Sequence, residues 1–144
     1  MNIYLKKGID DLKFGMKRHE VEQMIGKPDR VIKDPDNDNE LIWEYNDLKL
    51  RITFYNDENG RLGYFQSSNS DLTINDHKII DEKVEDAMSH IDPGPGSWKK
   101  EDFVLFTTYF NEENWLTLNV EYERVTFLEL GVSYKDEEDY DWPE

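Results

Sequence analysis

Three aspartates stand at alternate positions in DPDNDNE, residues 34 to 40, where Asp34, Asp36 and Asp38 match the first, third and fifth ligand positions of a calcium loop. The pattern stops there. Asn39 occupies the position where such a loop needs glycine for its sharp turn, and Tyr45 the position of the bidentate glutamate. The stretch reads instead as a polar turn. His19, His77 and His90 could move protons or bind a transition metal, but none has a partner at metal-ligand spacing, and each reads as a surface residue. Cysteine is absent, which removes thiol nucleophiles, thiolate metal sites and disulfides. Carboxylates are so abundant that no pair of acids marks itself as general acid and base; a glycosidase-like site would need a cleft that raises one pKa. No G-x-S-x-G, Walker loop or dinucleotide fingerprint is present, and GRLG at 60–63 reads as a hairpin. No catalytic residue, metal or cofactor is assigned, and the chain is expected to be non-enzymatic.

The 144 residues suit one domain or two small fused units, and a chain of that length buries about 70% of its unfolded surface. Aromatic content of 13% and several apolar runs argue for a packed core despite a charged fraction of 35%. The formal net charge of -16 repels phosphate backbones, so nucleic acid is excluded as a partner of the usual kind. A basic protein is the natural counterpart, because opposite charge raises the rate of encounter; service to solubility alone is the other reading. The opening MNIYLKKGIDDLKFG has no apolar core of signal-peptide length, and no later stretch is long enough to cross a membrane. A cytoplasmic protein with no membrane partner is expected, unless processing has removed a leader. Nothing in the sequence speaks to oligomeric state.

These groups must be positioned by helices and strands that alternate along the chain. GMKRHEVEQMIGKPD, residues 15 to 29, predicts a short helix from Lys17 to Ile25, with Val21, Met24 and Ile25 on its apolar stripe. Gly26 closes it in a left-handed conformation and Pro28 prevents its resumption. ELIWEY (40–45) and DLKLRITFY (47–55) read as strands, NDENG (56–60) as a turn, and RLGYFQSS as the return strand. A second amphipathic helix is predicted over 79–91, carried by Ile80, Val84, Ala87, Met88 and Ile91. DPGPGSW then breaks the chain, and FVLFTTYF (103–110), NWLTLNVEY (114–122) and RVTFLELGVSY (124–134) read as three strands. Val21 aligns with Val84, Tyr45 with Tyr109, and Leu50, Ile52 and Phe54 with Leu118, Val120 and Tyr122. That order predicts an internal duplication of a helix followed by an antiparallel sheet.

Gly15-Met16, Glu20-Val21, Ile25-Gly26 and Pro28-Asp29 resemble the G-M-[ST]-x-x-E-V-x-x-x-L-G-x-P-D signature of the SmpA/OmlA (BamE-like) family. That family is related in structure to the β-lactamase inhibitory protein, whose chain is two such α/β repeats side by side. The close likeness covers about fifteen residues, most of them helix boundaries. Lys17 departs from the signature's Ser/Thr cap, which leaves early helix N–H groups to water or to another side chain. No lipidated cysteine is present, so the lipoprotein role does not carry over, and the second half lacks the G-x-P-D bracket. The resemblance implies an α+β fold and a habit of binding proteins without catalysing.

The expected architecture is therefore two tandem repeats, each a helix packed on a three- to four-stranded antiparallel sheet, over residues 1–70 and 71–135, with an acidic tail at 136–144. If Leu48/Leu50 and Leu116/Leu118 face the helices, then Lys49, Arg51, Tyr55, Trp115, Thr117 and Glu121 face outward. From these, Arg51, Tyr55, Trp115 and Glu121 are candidates for contact with a partner, unless packing between repeats covers them. KDEEDYDWPE sets six acids among two aromatics. It reads either as a frayed, solubilising tail or as a docking strip, in which Asp136, Glu137, Glu138 and Asp139 steer and Tyr140 and Trp142 anchor. The function expected is that of an acidic inhibitor or immunity protein neutralising a basic bacterial toxin or enzyme. A small-molecule sensor with a pocket between sheet and helices is the alternative.

Overall fold

The computed structural model describes residues 1–143. Glu144, the last residue of the acidic tail, lies outside the described residues. In chain order the elements are β1 (Asn2–Tyr4), β2 (Gly8–Ile9), β3 (Leu12–Lys13), α1 (Arg18–Ile25), β4 (Arg30–Asp34), β5 (Asn37–Tyr45), β6 (Leu50–Tyr55) and β7 (Arg61–Ser67). There follow β8 (Thr73–Ile74), β9 (His77–Lys78), α2 (Val84–Ser89), β10 (Lys99–Asp102), β11 (Thr107–Asn111), β12 (Leu116–Glu121) and β13 (Arg124–Gly131). Eight strands form one antiparallel sheet in the order β10-β11-β12-β13-β7-β6-β5-β4, and the remaining five form a small sheet, β3-β2-β1-β8-β9. Both sheets and both helices contribute to one buried cluster. Leu50, Ile52 and Phe54 of β6 and Leu116 and Leu118 of β12 enter it at spacing two, as a pleated strand requires. From the small sheet and its neighbours come Ile9, Phe14, Ile74 and Ile79, with the Phe14 ring 5.3 Å from that of Phe65 on β7.

The bracketed helix is fixed at both ends by backbone chemistry. The Glu20 carboxylate accepts from the Lys17 backbone N–H at 3.1 Å, so the helix supplies one of the caps that Lys17 cannot. At the other end Gly26 donates its N–H to the Glu22 carbonyl at 2.8 Å with φ at +84°, a backbone angle that strains most side chains. The Tyr45 hydroxyl then donates to the Gly26 carbonyl at 2.9 Å, and Asp29 donates its N–H to Glu44 at 2.8 Å. Burial first, then the nearby charges of Glu22 and Asp29, push the Tyr45 phenol up to about 12, which keeps this donor protonated. Thus the helix exit is bonded directly onto β5, and the chain enters β4 at the sheet edge.

The structure corrects the expected architecture. Strands dominate, while the helices are single segments of eight and six residues, and the second starts five residues later than periodicity predicts. Ile79, Ile80 and Ile91 are buried, but from turns on either side of α2. Two groups of strands do not close into separate helix-on-sheet repeats: β7 pairs with β13 within one sheet, and β1 pairs in parallel with β8. The aligned positions also part company. Phe54 is fully buried, whereas Tyr122 is 99% exposed. A register shift between Asn119 and Val120 ends β12 at Glu121 and leaves Tyr122 in the turn. FVLFTTYF is not one strand either, since β11 begins only at Thr107.

The contrast between those two positions is measurable. Phe54→Ala should cost about 3–5 kcal/mol, the range for emptying a buried aromatic site. Tyr122→Ala should stay within about 0.5 kcal/mol of wild type, as exposed positions do. Urea denaturation of the two variants checks both.

Candidate functional site

The chain after β13 folds back across the large sheet. Asp141 donates its N–H to the Ser133 carbonyl at 2.7 Å and Lys135 donates to Asp139 at 3.0 Å, so residues 133–141 form a closed loop. Its aromatics continue a ladder that crosses the sheet. Phe110 meets Trp115 edge-on at 5.2 Å, Trp115 meets Tyr134 edge-on at 5.2 Å, Tyr134 stacks on Tyr140 at 4.6 Å, and Tyr140 stacks on Tyr55 at 5.5 Å. Trp142 packs against Tyr140 and under the Arg61 guanidinium, 5.4 Å from the ring centre. Two glycines make room. A Cβ on Gly63 would overlap the Tyr55 ring, and one on Gly131 would overlap Trp115 and crowd Tyr64. The phenols of Tyr55 and Tyr64 are both pushed well above the ordinary tyrosine value, chiefly by burial, and the nearby carboxylate of Glu129 adds to the second.

Beside the Trp115–Tyr134 step of the ladder, a groove of about 940 Å³ opens between the tail loop and three other loops. Trp115 and Tyr134 line it together with Glu112, Glu113, Asp136 and Glu137, and a 2.6 Å ion pair between Lys6 and Glu113 lies on its rim. The loop wall opposite the tail is held by two buried amides. Asn111 donates to the carbonyls of Pro93 (2.6 Å) and Ser97 (2.7 Å), and its own carbonyl accepts from the Asn114 side chain at 2.8 Å. Asn114 in turn donates to the Asp92 carbonyl at 3.0 Å. On the tail side, Asp136 accepts from the N–H groups of Glu138 and Asp139, both at 2.9 Å, which holds its carboxyl below the usual range. The acids are therefore presented on an ordered loop.

The sequence candidates divide among five places. Trp115, Asp136 and Glu137 meet at the groove, and Tyr55, Tyr140 and Trp142 meet in the ladder beside it. Glu138 and Asp139 are exposed on the tail loop, so that segment is folded rather than frayed, and its two aromatics are already engaged within the chain. Arg51 lies apart, on a polar row of the open face, where its guanidinium meets Glu44 at 2.8 Å and Arg30 approaches the same carboxylate at 3.7 Å. Glu121 lies at the far end of β12 from Trp115. Lys49 and Thr117, also expected to face outward, are exposed and half-buried respectively. The Asp34–Asn37 segment is a tight turn, with the Asp36 N–H donating to Asp34 at 2.9 Å, and among the described residues no three metal-binding side chains converge. His77 and His90, read as unrelated, are both exposed and stack with ring centres 3.5 Å apart.

One surface escapes the sequence reading. Between β10 and β11, the tip Phe103-Val104-Leu105-Phe106 stands in solvent, with Val104 wholly exposed and Leu105 at 81%. The Phe103 N–H donates to the Phe106 carbonyl at 2.8 Å, and the two rings stack at 4.7 Å, so the tip is closed on itself. The signal was present in KKED immediately before FVLF: a fully exposed charged strand leaves nothing for the apolar residues after it to pack on.

No family model matches the chain, and no curated protein matches it. The likeness to the SmpA/OmlA family and to the β-lactamase inhibitory protein therefore does not extend past the helix bracket. What the chain is similar to in structure is an extracellular protein containing a SCP domain from Bacillus anthracis str. Ames, with a TM-score of 0.57 and 14% identity. The match covers 85% of this chain and 46% of that one, so this chain spans about half the length of its neighbour. At that identity the likeness shows a fold alone, and the fold is mostly sheet. Among the described residues no helix is long and apolar enough to cross a membrane.

Two outcomes follow for the site's framework. Asn111→Ala should cost about 1–3 kcal/mol, because it strands the buried partners of both its amide atoms. A chemical denaturation curve reads this directly. Raised phenol pKa values stabilise the fold fully below the unfolded value of about 10 and are lost as pH rises above it. Stability should thus fall as pH rises above about 10, with Tyr55 and Tyr64 both contributing to the loss. Tyr64→Phe should flatten that slope in urea midpoints taken across the range.

Proposed function

We propose that this chain is a non-enzymatic, acidic protein-binding module that acts as an inhibitor or immunity protein toward a basic bacterial toxin or enzyme. The observation that carries the reading is the groove beside the aromatic ladder. Trp115 and Tyr134 are presented there in fixed orientations, and the carboxylates around them outnumber the lysines. Rigid aromatics supply apolar contact at small entropic cost, and a field of one sign selects and steers a partner of the other. The mechanism would be occlusion, with carboxylates lying where the partner's own acidic or phosphate substrate would bind. Of the sequence candidates, Trp115, Asp136 and Glu137 are the direct contacts, while Tyr55, Tyr140 and Trp142 hold the loop that carries the acids. A cytoplasmic location goes with this reading, and fractionation of host cells checks it.

The alternative, a small-molecule sensor, has one observation in its favour. A groove of about 310 Å³ lies between α1 and the small sheet, lined in part by Leu12, Met24, Ile25 and Leu48. A ligand held there would raise the melting temperature by mass action.

Affinity capture from host lysate at low and high salt tests the main reading. A stoichiometric basic protein should be retained at low salt and released at high salt. Trp115→Ala should weaken binding by about tenfold or more, and Asp136→Asn with Glu137→Gln should lower the association rate and its salt dependence. If both variants bind as tightly as wild type, the groove is not the interface. Point variants serve better than removal of residues 136–144, since truncation would also uncover the Tyr55 ring.

A further inference from the structure

A second surface lies at the opposite end of the sheet from the groove. Strand register brings two hairpin tips together there: Thr107 pairs with Val120, and Val120 pairs with Val125. The Phe103–Phe106 tip and the Tyr122-Glu123 turn are therefore neighbours, and Val104, Leu105 and Tyr122 are among the most exposed apolar side chains of the fold.

Folding does not account for these residues. The turn between β12 and β13 has two residues, both left-handed, with Tyr122 at φ +51° and Glu123 at φ +68°. Asn-Gly is the pair that such a turn favours; a bulky aromatic there works against hairpin stability. Four successive apolar residues at an exposed tip are likewise a cost in solubility that packing does not repay. Positions that break local rules without a structural return mark sites kept for another purpose.

The surroundings indicate what fits. Glu101, Asp102, Glu121 and Glu123 are exposed around the tips. Of the nearby cations, Lys99 approaches Glu112 at 3.6 Å and Arg124 donates to the Asp81 carbonyl at 2.8 Å. Lys100 approaches Asp102 at 4.0 Å, and Asp102 also accepts from the Thr107 hydroxyl at 2.9 Å. Glu101, Glu121 and Glu123 make up the rest of the collar. An acidic collar on a chain of net charge -16 opposes approach to an anionic lipid surface and to a second copy alike. We infer that the paired tips insert into an apolar cleft with a basic rim on a protein partner, as a contact separate from the groove. Val104, Leu105 and Tyr122 fill the cleft, and the carboxylates of Glu101, Glu121 and Glu123 meet its rim. This rests on the protein-binding reading above.

The test places a photo-crosslinking p-benzoylphenylalanine in the full chain at Leu105 and, separately, at Trp115, in host cells. The cross-linked protein is then purified and titrated against wild type, Val104→Asp/Leu105→Asp and Tyr122→Asn/Glu123→Gly. Cross-linking from position 105 to a basic protein should be matched by about thirtyfold weaker binding in each double variant, the loss expected for an anchor. The turn variant should melt at a higher temperature than wild type while binding less tightly, a combination that loss of fold cannot produce. Cross-linking only from position 115, with unchanged affinity in both double variants, overturns this inference and leaves the groove reading intact. No cross-link from either position overturns both. Two probes guard the choice of partner: sedimentation with phosphatidylcholine vesicles, with and without phosphatidylglycerol, and self-association by ultracentrifugation. If either proceeds with wild type and is abolished by Val104→Asp/Leu105→Asp, the tips serve lipid or a second copy, and the inference fails.

Discussion

Leu128 to Gly131 of β13 pair with Ser67 to Tyr64 of β7, and this short ladder makes one sheet out of two groups of strands. Each group is a local meander that could find its own register from its turns. The seam cannot, since its partners are far apart in sequence, and it succeeds because both strands carry core residues in phase: Phe65 stands opposite Leu130, and both are fully buried. The same seam sets the other face. Gly131 pairs with Tyr64 there and leaves space for the Trp115 ring, and Val132 continues the contact by donating its N–H to Gly63 at 2.9 Å. From that point the chain turns back over the sheet. Core, aromatic ladder and tail loop thus share one origin.

How much of this could be read from the residues follows from which forces are local. Alternation at Leu50-Ile52-Phe54 and at Leu116-Leu118-Val120 reports a strand with one buried face, and the helix bracket from Gly15 to Asp29 reports its own boundaries; both depend only on neighbours in sequence. What was not legible depended on distant pairing. Gly8-Ile9 and Leu12-Lys13 are too short to register as strands until β1 and β8 give them a sheet to join. Tyr122 continues the alternation of β12 in sequence but falls into a turn, because a register shift before it changes the count. Phe103 to Phe106 look like strand by composition, yet nothing is close enough to cover them.

The tail illustrates the same division. Its acids are obvious in sequence, and so is the ambiguity between ballast and docking strip. What resolves the conformation is the pair Gly63 and Gly131, neither of which signals in sequence that a side chain from elsewhere will occupy its missing Cβ. An aromatic needs a flat bed, and these two positions provide it. Tyr140 and Trp142 then act as fasteners for a loop whose carboxylates would otherwise repel one another into an open ensemble.

The parallel pairing of β1 with β8 has a consequence for how the molecule comes into being. The N-terminal amine donates to the Asp71 carbonyl, 70 positions away, and Asn2 and Ile3 pair with Thr73 and Ile74. On the ribosome, β1 emerges before β8 and stays without that neighbour until about 70 further residues have followed. At ordinary synthesis rates of roughly 5–20 residues per second, that wait is several seconds, far longer than a hairpin needs to close. The β4–β7 meander has time to form first and to offer its apolar face before the small sheet assembles against it. A strand synthesised well before its partner is thereby among the last to be set in place.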